Sequence, residues 1–402
     1  MTSGSAAPDP ARFDIRPLLV ANCTCTMAMM AFVSLIGPIA RQLGLSASQA
    51  GAVITIGGVM WMLSAPRWGR QADRRGRRTV MLLAVSGFSV CYALLCALLI
   101  VSLSRGFDAS VVFAGMLITR GAMGGFYSAV PAVGQALIAD NVPAERRTAT
   151  LALLGAANAV GLVTGPALAG GLAAIGLATP LYVTGLLPVV AMVVLWRTLP
   201  RSGGTSLAGR AALSFADRRL RRPMLVSFIA YFSVSIAQII VGFFAIDRLG
   251  LAGSDAARVA GLSLTMVGVS LIGSQMIVRR LGWPPAKLVR RGAVIGAIGF
   301  AAIAASTSGA MLIGAYFVTA FGMGWVFPAF GAMAANAVQA HEQGAAAGVL
   351  GAAQGFGTVV GPFVGTLCYD IEPGAPYLLI VVLLVLMAAW PMPAAPRSRD
   401  RV

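Results

Sequence analysis

Residues 153–166 read LLGAANAVGLVTGP, and residues 349–362 read VLGAAQGFGTVVGP. Gly155, Ala156, Ala157, Gly161, Gly165 and Pro166 recur as Gly351, Ala352, Ala353, Gly357, Gly361 and Pro362, a constant shift of 196 positions in a chain of 402 residues. Small residues can match by chance, but glycines and a proline in register across half the chain length mark an internal repeat. Asn158 and Gln354 are polar equivalents inside it. A duplicated apolar unit of this size is the mark of a two-half membrane transporter whose site lies between the halves.

The rest of the composition agrees. Hydrophobic residues make up 58% of the chain, charged residues 11%, and the mean hydropathy is +0.84. Soluble domains carry roughly 25% charged residues, so this chain cannot cover a water-facing surface. A bilayer-spanning helix needs about 20 apolar residues. Twelve candidates run near 17–40, 48–68, 79–102, 110–138, 148–173, 178–197, 223–246, 256–278, 290–307, 309–336, 344–367 and 375–392. The expected fold is therefore an all-α membrane protein, twelve transmembrane helices in two pseudo-symmetric six-helix bundles, 17–197 and 223–392. A linker at 198–222, with a short amphipathic surface helix near 206–220, joins them. Tails of 1–16 and 393–402 flank them.

The net charge of +17 could suggest nucleic acid, but the cations lie in short clusters between apolar spans, which is the positive-inside pattern. Clusters at Arg67–Arg78, Arg146–Arg147, Arg197–Arg222, Arg279–Arg291 and Arg397–Arg401 fall on one side. Arg41, Arg105, Arg248 and Arg258 are left on the other. This places both ends in the cytoplasm of a bacterial inner membrane protein. The N-terminal tail lacks the pattern of a signal peptide. One histidine and scattered cysteines exclude a metal centre, no P-loop is present, and no Ser-His-Asp set can form in the membrane, so neither a cofactor nor an enzyme activity is expected.

Between spans two and three stands Gly69-Arg70-Gln71-Ala72-Asp73-Arg74-Arg75-Gly76-Arg77-Arg78. This loop resembles the signature of the major facilitator superfamily, with Gln71 where leucine is usual. The resemblance implies that Asp73 latches the cytoplasmic side by meeting the N-terminal end of the eleventh span, near Gln343–Ala345. Gly69, Gly76, Arg77 and Asp140 belong to the same latch. Arg120-Gly121-Ala122-Met123-Gly124 in span four resembles the family's Arg-x-x-Gln-Gly signature, with Met123 in place of Gln. Gly161-Leu162-Val163-Thr164-Gly165-Pro166-Ala167-Leu168-Ala169-Gly170 resembles the span-five motif of the drug and metabolite antiporter branch, departing at Ala169. Its residues Gly161, Gly165 and Pro166, with Gly361 and Pro362 in the repeat, suit close helix packing.

Arg120 is the one cation placed deep in an apolar span. It is too far from either helix end to snorkel, and such a charge points to function. In the family's fold, spans one, four, seven and ten line the cavity. They offer Asn22, Thr26 and Met30; Arg120 and Tyr127; Tyr231, Ser235 and Gln238; Tyr316, Thr319 and Trp325. With Asn158 and Gln354 these describe a wet, mostly neutral cavity carrying one positive charge. No acid lies in the apolar core, so a lipophilic cation lacks a partner.

The expected function is a proton-coupled exporter of a small neutral or anionic organic metabolite. The chain resembles siderophore exporters of the alcaligin type and Bcr-like drug resistance proteins. The alternative within transport is a multidrug efflux antiporter; outside it, a membrane receptor or scaffold. Expected partners are the bilayer, the small-molecule substrate and protons, with no nucleic acid, and the chain acts as a monomer.

Overall fold

The computed structural model describes residues 14–199, 217–339 and 342–390. Residues 200–216 of the expected linker, with most of its surface helix, residues 1–13 of the N-terminal tail and the C-terminal tail lie outside the described residues; residues 217–220 form a turn before α8. Thirteen helices are present among them: α1 (Arg16–Gln42), α2 (Ala47–Arg75), α3 (Arg77–Arg105), α4 (Ala109–Tyr127), α5 (Ala129–Asn141), α6 (Ala144–Ala173), α7 (Thr179–Thr198), α8 (Arg221–Asp247), α9 (Gly253–Leu281), α10 (Pro285–Ala304), α11 (Gly309–Ala337), α12 (Gln343–Ile371) and α13 (Ala375–Ala389). Helices α4 and α5 together make the fourth crossing. Pro131 has no N–H to give the Tyr127 carbonyl and its ring crowds that group. The break falls at Ser128, whose hydroxyl donates to the Gly125 carbonyl at 2.8 Å.

Ten crossings are long and apolar enough to span a bilayer on their own. The other two are α10, which carries Lys287, Arg290 and Arg291 in its first turns, and α13, which has 15 residues. They complete the twelve by topology. The surface is apolar where a soluble protein would be charged: Ile118 is 73% exposed, Ile272 64% and Ile298 60%. Hydrocarbon is the solvent that such faces require.

Local signals fix the helix ends. Ser46 caps α2 in a reciprocal box with Gln49: the Gln49 N–H donates to Ser46 Oγ at 3.1 Å, and the Ser46 N–H donates to Gln49 Oε1 at 2.9 Å. Gly76 (φ 88°) and Gly282 (φ 57°) terminate α2 and α9, the second crossing of each half. Both adopt backbone that side-chain-bearing residues resist.

The repeat is visible as packing. Helix α6 lies on α1, where a Cβ added to Gly161 would stand 2.5 Å from the Cys23 carbonyl oxygen, and Gly165 abuts Met27. Helix α12 lies on α8 in the same way: Gly357 faces the Phe228 oxygen at 2.7 Å from such a Cβ, and Gly361 the Phe232 oxygen at 2.8 Å. Absent side chains let the backbones touch.

The halves, α1–α7 and α8–α13, meet mainly toward the arginine-poor end. There Gly37 of α1 meets Gly242 and Phe243 of α8, Gly51 of α2 meets Pro362 and Thr366 of α12, and Gly261 of α9 meets Pro166 and Gly170 of α6. The repeat-equivalent prolines thus present their carbonyls to a glycine of the opposite half. Thr55 Oγ1 donates to the Val359 carbonyl at 3.1 Å in the same seam. Toward the arginine-rich end, Leu153, Gly155, Ala156, Gly351 and Ala352 are exposed, and a Cβ on Gly155 or Gly351 would meet nothing within 4 Å. The molecule is sealed at one end and open at the other.

Candidate substrate cavity

Above the seal, between the halves, lies a cavity of about 500 Å³. Its wall includes Met30 and Val33 of α1, Asn158 and Leu162 of α6, Tyr231, Ser235 and Gln238 of α8, Tyr316 and Thr319 of α11, and Gln354 of α12. Aromatic residues Phe300, Phe327 and Phe330 close one side, with the Tyr231 ring edge-on to Phe327 at 5.7 Å. No ionised side chain is in this wall among the described residues.

Several polar groups of the wall are already committed to the protein. Tyr316 Oη donates to the Ala237 carbonyl at 2.7 Å, so Tyr377 Oη, 3.0 Å away, must donate to it. Tyr316 therefore offers the cavity its ring. Ser235 Oγ turns to the Phe232 carbonyl at 3.0 Å. What remains open is neutral: the side chains of Gln238 and Gln354, which make no hydrogen bond among the described residues, and the amide of Asn158; the Thr319 hydroxyl is buried against Gly299 of α10. A few polar groups set in an apolar wall are what orients a bound ligand, and these amides are the ones a ligand would meet.

Asn158 leads behind the wall. Thr26 Oγ1 donates to Asn158 Oδ1 at 2.7 Å and stands 2.8 Å from Tyr127 Oη. Asn22 Nδ2 donates to the Leu154 carbonyl at 3.3 Å and fastens the same α1–α6 seam. Tyr127 packs edge-on to Trp61 at 5.2 Å. Beyond it Arg120 is 3% exposed, with its guanidinium 5.6 Å over the Phe32 ring and its side chain against Gly57. It makes no hydrogen bond among the described residues, and its Nε is buried without a partner.

Of the expected cavity residues, the structure therefore brings Met30, Asn158, Tyr231, Ser235, Gln238, Tyr316, Thr319 and Gln354 to the wall. It sets Asn22, Thr26, Tyr127 and Arg120 one layer back. Arg120 does not face this cavity, because α4 turns that side toward α2 and α1. Trp325 is also elsewhere: it packs edge-on against Trp283 at 5.5 Å. Sequence reasoning missed Leu264, Val267 and Leu271 of α9, which line the cavity. Their spacing of three and four positions was the available signal, but the eighth span had not been assigned to the cavity.

The loop residues divide. Gly69 meets no close neighbour, and Gly76 forms the turn between α2 and α3. Arg77 Nε donates to Asp140 Oδ2 at 3.1 Å, both side chains about nine-tenths buried, which ties α3 to α5 within one half. The side chains of Asp73 and Gln343–Ala345 lie outside the described residues.

The family model of the Major Facilitator Superfamily matches residues 18–308 and 283–401. The chain belongs to this superfamily. It is a multi-pass membrane transporter and not an enzyme. Among curated members of the superfamily, it is 27% identical over 350 residues to the class C tetracycline resistance protein of Escherichia coli, covering 80% of each chain. It is 23% identical over 368 residues to multidrug resistance protein 2 of Bacillus subtilis (strain 168), covering 86% of this chain and 87% of that one. Its fold matches the crystal structure of a bacterial homologue of the human lysosomal transporter Spinster, in an inward-facing and occupied conformation. The TM-score is 0.76 at 15% identity, over 93% of this chain and 94% of that one.

Proposed function

We propose that this facilitator exports a small amphipathic organic molecule, neutral or anionic, in exchange for protons. The observation that carries this reading is the cavity itself: about 500 Å³, walled by apolar and neutral polar groups, with Arg120 buried one layer behind. A lipophilic cation would find no carboxylate in the described wall and would feel an uncompensated positive charge at short range. A neutral ligand rich in acceptors suits the Asn158, Gln238 and Gln354 amides. An anionic group would reach Arg120 once the wall between them shifts.

The relatives support the outward direction, since both curated ones are named for drug resistance. They favour multidrug efflux over siderophore export within this reading. The arginine-rich end is assigned to the cytoplasm of a bacterial inner membrane protein by the positive-inside rule. The linker 198–222 and both termini lie on that side, the cavity opens toward the cytoplasm in this conformation, and the chain works as a monomer. Asp73, Gly69, Gly76, Arg77 and Asp140 form the latch that closes that side later in the cycle. Coupling runs through the substrate's own ionisation or through Asp140, since the described wall holds no acid.

Proteoliposomes loaded with probes of matched size and different charge test the reading. Neutral and anionic probes should move against a proton gradient with measurable proton counter-flux, while a lipophilic cation should not. Efficient transport of the cation by the unaltered protein would overturn it.

A further inference from the structure

At the sealed end, Arg41 of α1 reaches across to Asp247 of α8. Its Nε donates to both carboxylate oxygens at 3.1 Å, and Nη2 donates to Oδ2. The guanidinium also lies 5.0 Å from the Phe243 ring centroid. Tyr369 Oη, from α12, donates to Asp247 Oδ2 at 2.9 Å. Directly beneath, the Gly37–Gly242 contact leaves no room for side chains: a Cβ on Gly37 would stand 2.6 Å from the Phe243 nitrogen. These two helices cannot part at this end without breaking the ion pair.

The partners are unevenly distributed. Both contacts of Arg41 are on α8, in the opposite half. Asp247 has Arg41 across the seam and Tyr369 within its own half. When the seam opens, Arg41 loses everything, and Asp247 keeps the tyrosine. The Arg41–Asp247 contact therefore differs between the closed and open mouth, as do the glycine contacts and the Thr55–Val359 hydrogen bond of the same seam, whereas Tyr369–Asp247 does not, and only a contact that differs between two states can bias their equilibrium. We infer that Arg41 and Asp247 are positioning residues for transport, a gate pair that sets how often the sealed mouth opens, with Tyr369 orienting the carboxylate and contributing little to the bias. The inference rests on transport through the cavity described above and not on which side of the membrane the sealed end faces.

The test is thiol labelling in a cysteine-free background with a membrane-impermeant reagent. Val234→Cys, in the cavity wall, reports opening of the mouth. Ser104→Cys, exposed beside the sealed end, reports which compartment that end faces. Labelling is run on whole cells and on inside-out vesicles, and gate variants are compared from the side that labels Ser104→Cys. If Ser104→Cys labels in inside-out vesicles and not in whole cells, the orientation fails while the gate is still tested. Asp247→Asn and Arg41→Ala should each speed Val234→Cys labelling by about three- to fivefold, the upper end for a partly exposed ion pair. Tyr369→Phe should change it by less than about twofold. The exchanged pair Arg41→Asp with Asp247→Arg should return the rate toward the original, which a merely structural role would not do. Unchanged labelling in both single variants, or no recovery in the exchanged pair with normal protein amounts, would overturn the gate.

Discussion

Thr26 of α1 donates its hydroxyl proton to Asn158 of α6 at 2.7 Å. An amide oxygen only accepts, so the single proton of Thr26 is used there, and Tyr127 must donate to Thr26. The chain of donation runs Tyr127 to Thr26 to Asn158, which turns the Asn158 NH₂ group toward the cavity as a donor. A threonine buried in a helix pair thereby sets the polarity of the wall.

Thr26→Val keeps the shape and removes the donor. Asn158 is then free to rotate, and the wall loses its fixed donor. The KM of an acceptor-bearing substrate should rise by about five- to tenfold, equivalent to one hydrogen bond, with little change in the amount of folded protein. Tyr127→Phe should do the same more weakly. Equal KM values for both variants and the parent, in proteoliposome uptake, would show that the chain does not set substrate affinity.

Arg120→Ala removes the buried charge but leaves the neutral wall intact. Transport of an anionic probe should fall more than tenfold, a neutral probe should fall less, and a lipophilic cation should gain entry. Arg120→Lys should restore little, since the flat guanidinium over Phe32 and beside Gly57 is not reproduced by an ammonium group. Flux of the three probes, measured side by side, checks the ordering.

Gly161→Ala and Gly357→Ala place a methyl group against backbone oxygens of α1 and α8. Each should cost about 1–3 kcal/mol by overpacking, and the two costs should be similar because the sites are repeat equivalents. Gly155→Ala and Gly351→Ala, where nothing lies within 4 Å, should be neutral or slightly stabilising, since alanine favours helix over glycine. Thermal unfolding in one detergent compares all four.

Asp140→Asn weakens the link to Arg77, a pair whose side chains are 9% and 12% exposed. Losing a charge-assisted hydrogen bond at that depth should lower stability by about 1–3 kcal/mol. It should also slow transport, because α3 and α5 would no longer move as one unit at the latch. If coupling runs through the substrate, the ratio of protons to substrate stays unchanged; a changed ratio assigns the coupling to Asp140.

The sequence by itself determined the membrane class, the twelve crossings and the superfamily. Those follow from composition, span length and short motifs, all of which are local along the chain. The repeat was also legible, because Gly161, Gly165, Gly357 and Gly361 are needed one by one for backbone contact and leave a fixed spacing. Tertiary structure alone decided which polar residues meet. Arg120 and Tyr127 were expected in the wall with Asn158, but helix rotation put them behind it, and a periodicity gives a face without saying which neighbour it meets. The fourth crossing read as one helix although Pro131 breaks it, since apolar composition continues through the break. The Arg41–Asp247 pair spans 206 positions, and no local pattern connects two residues that share only the end of a seam. Its existence follows from the halves being closed there, which is a property of the conformation rather than of either segment.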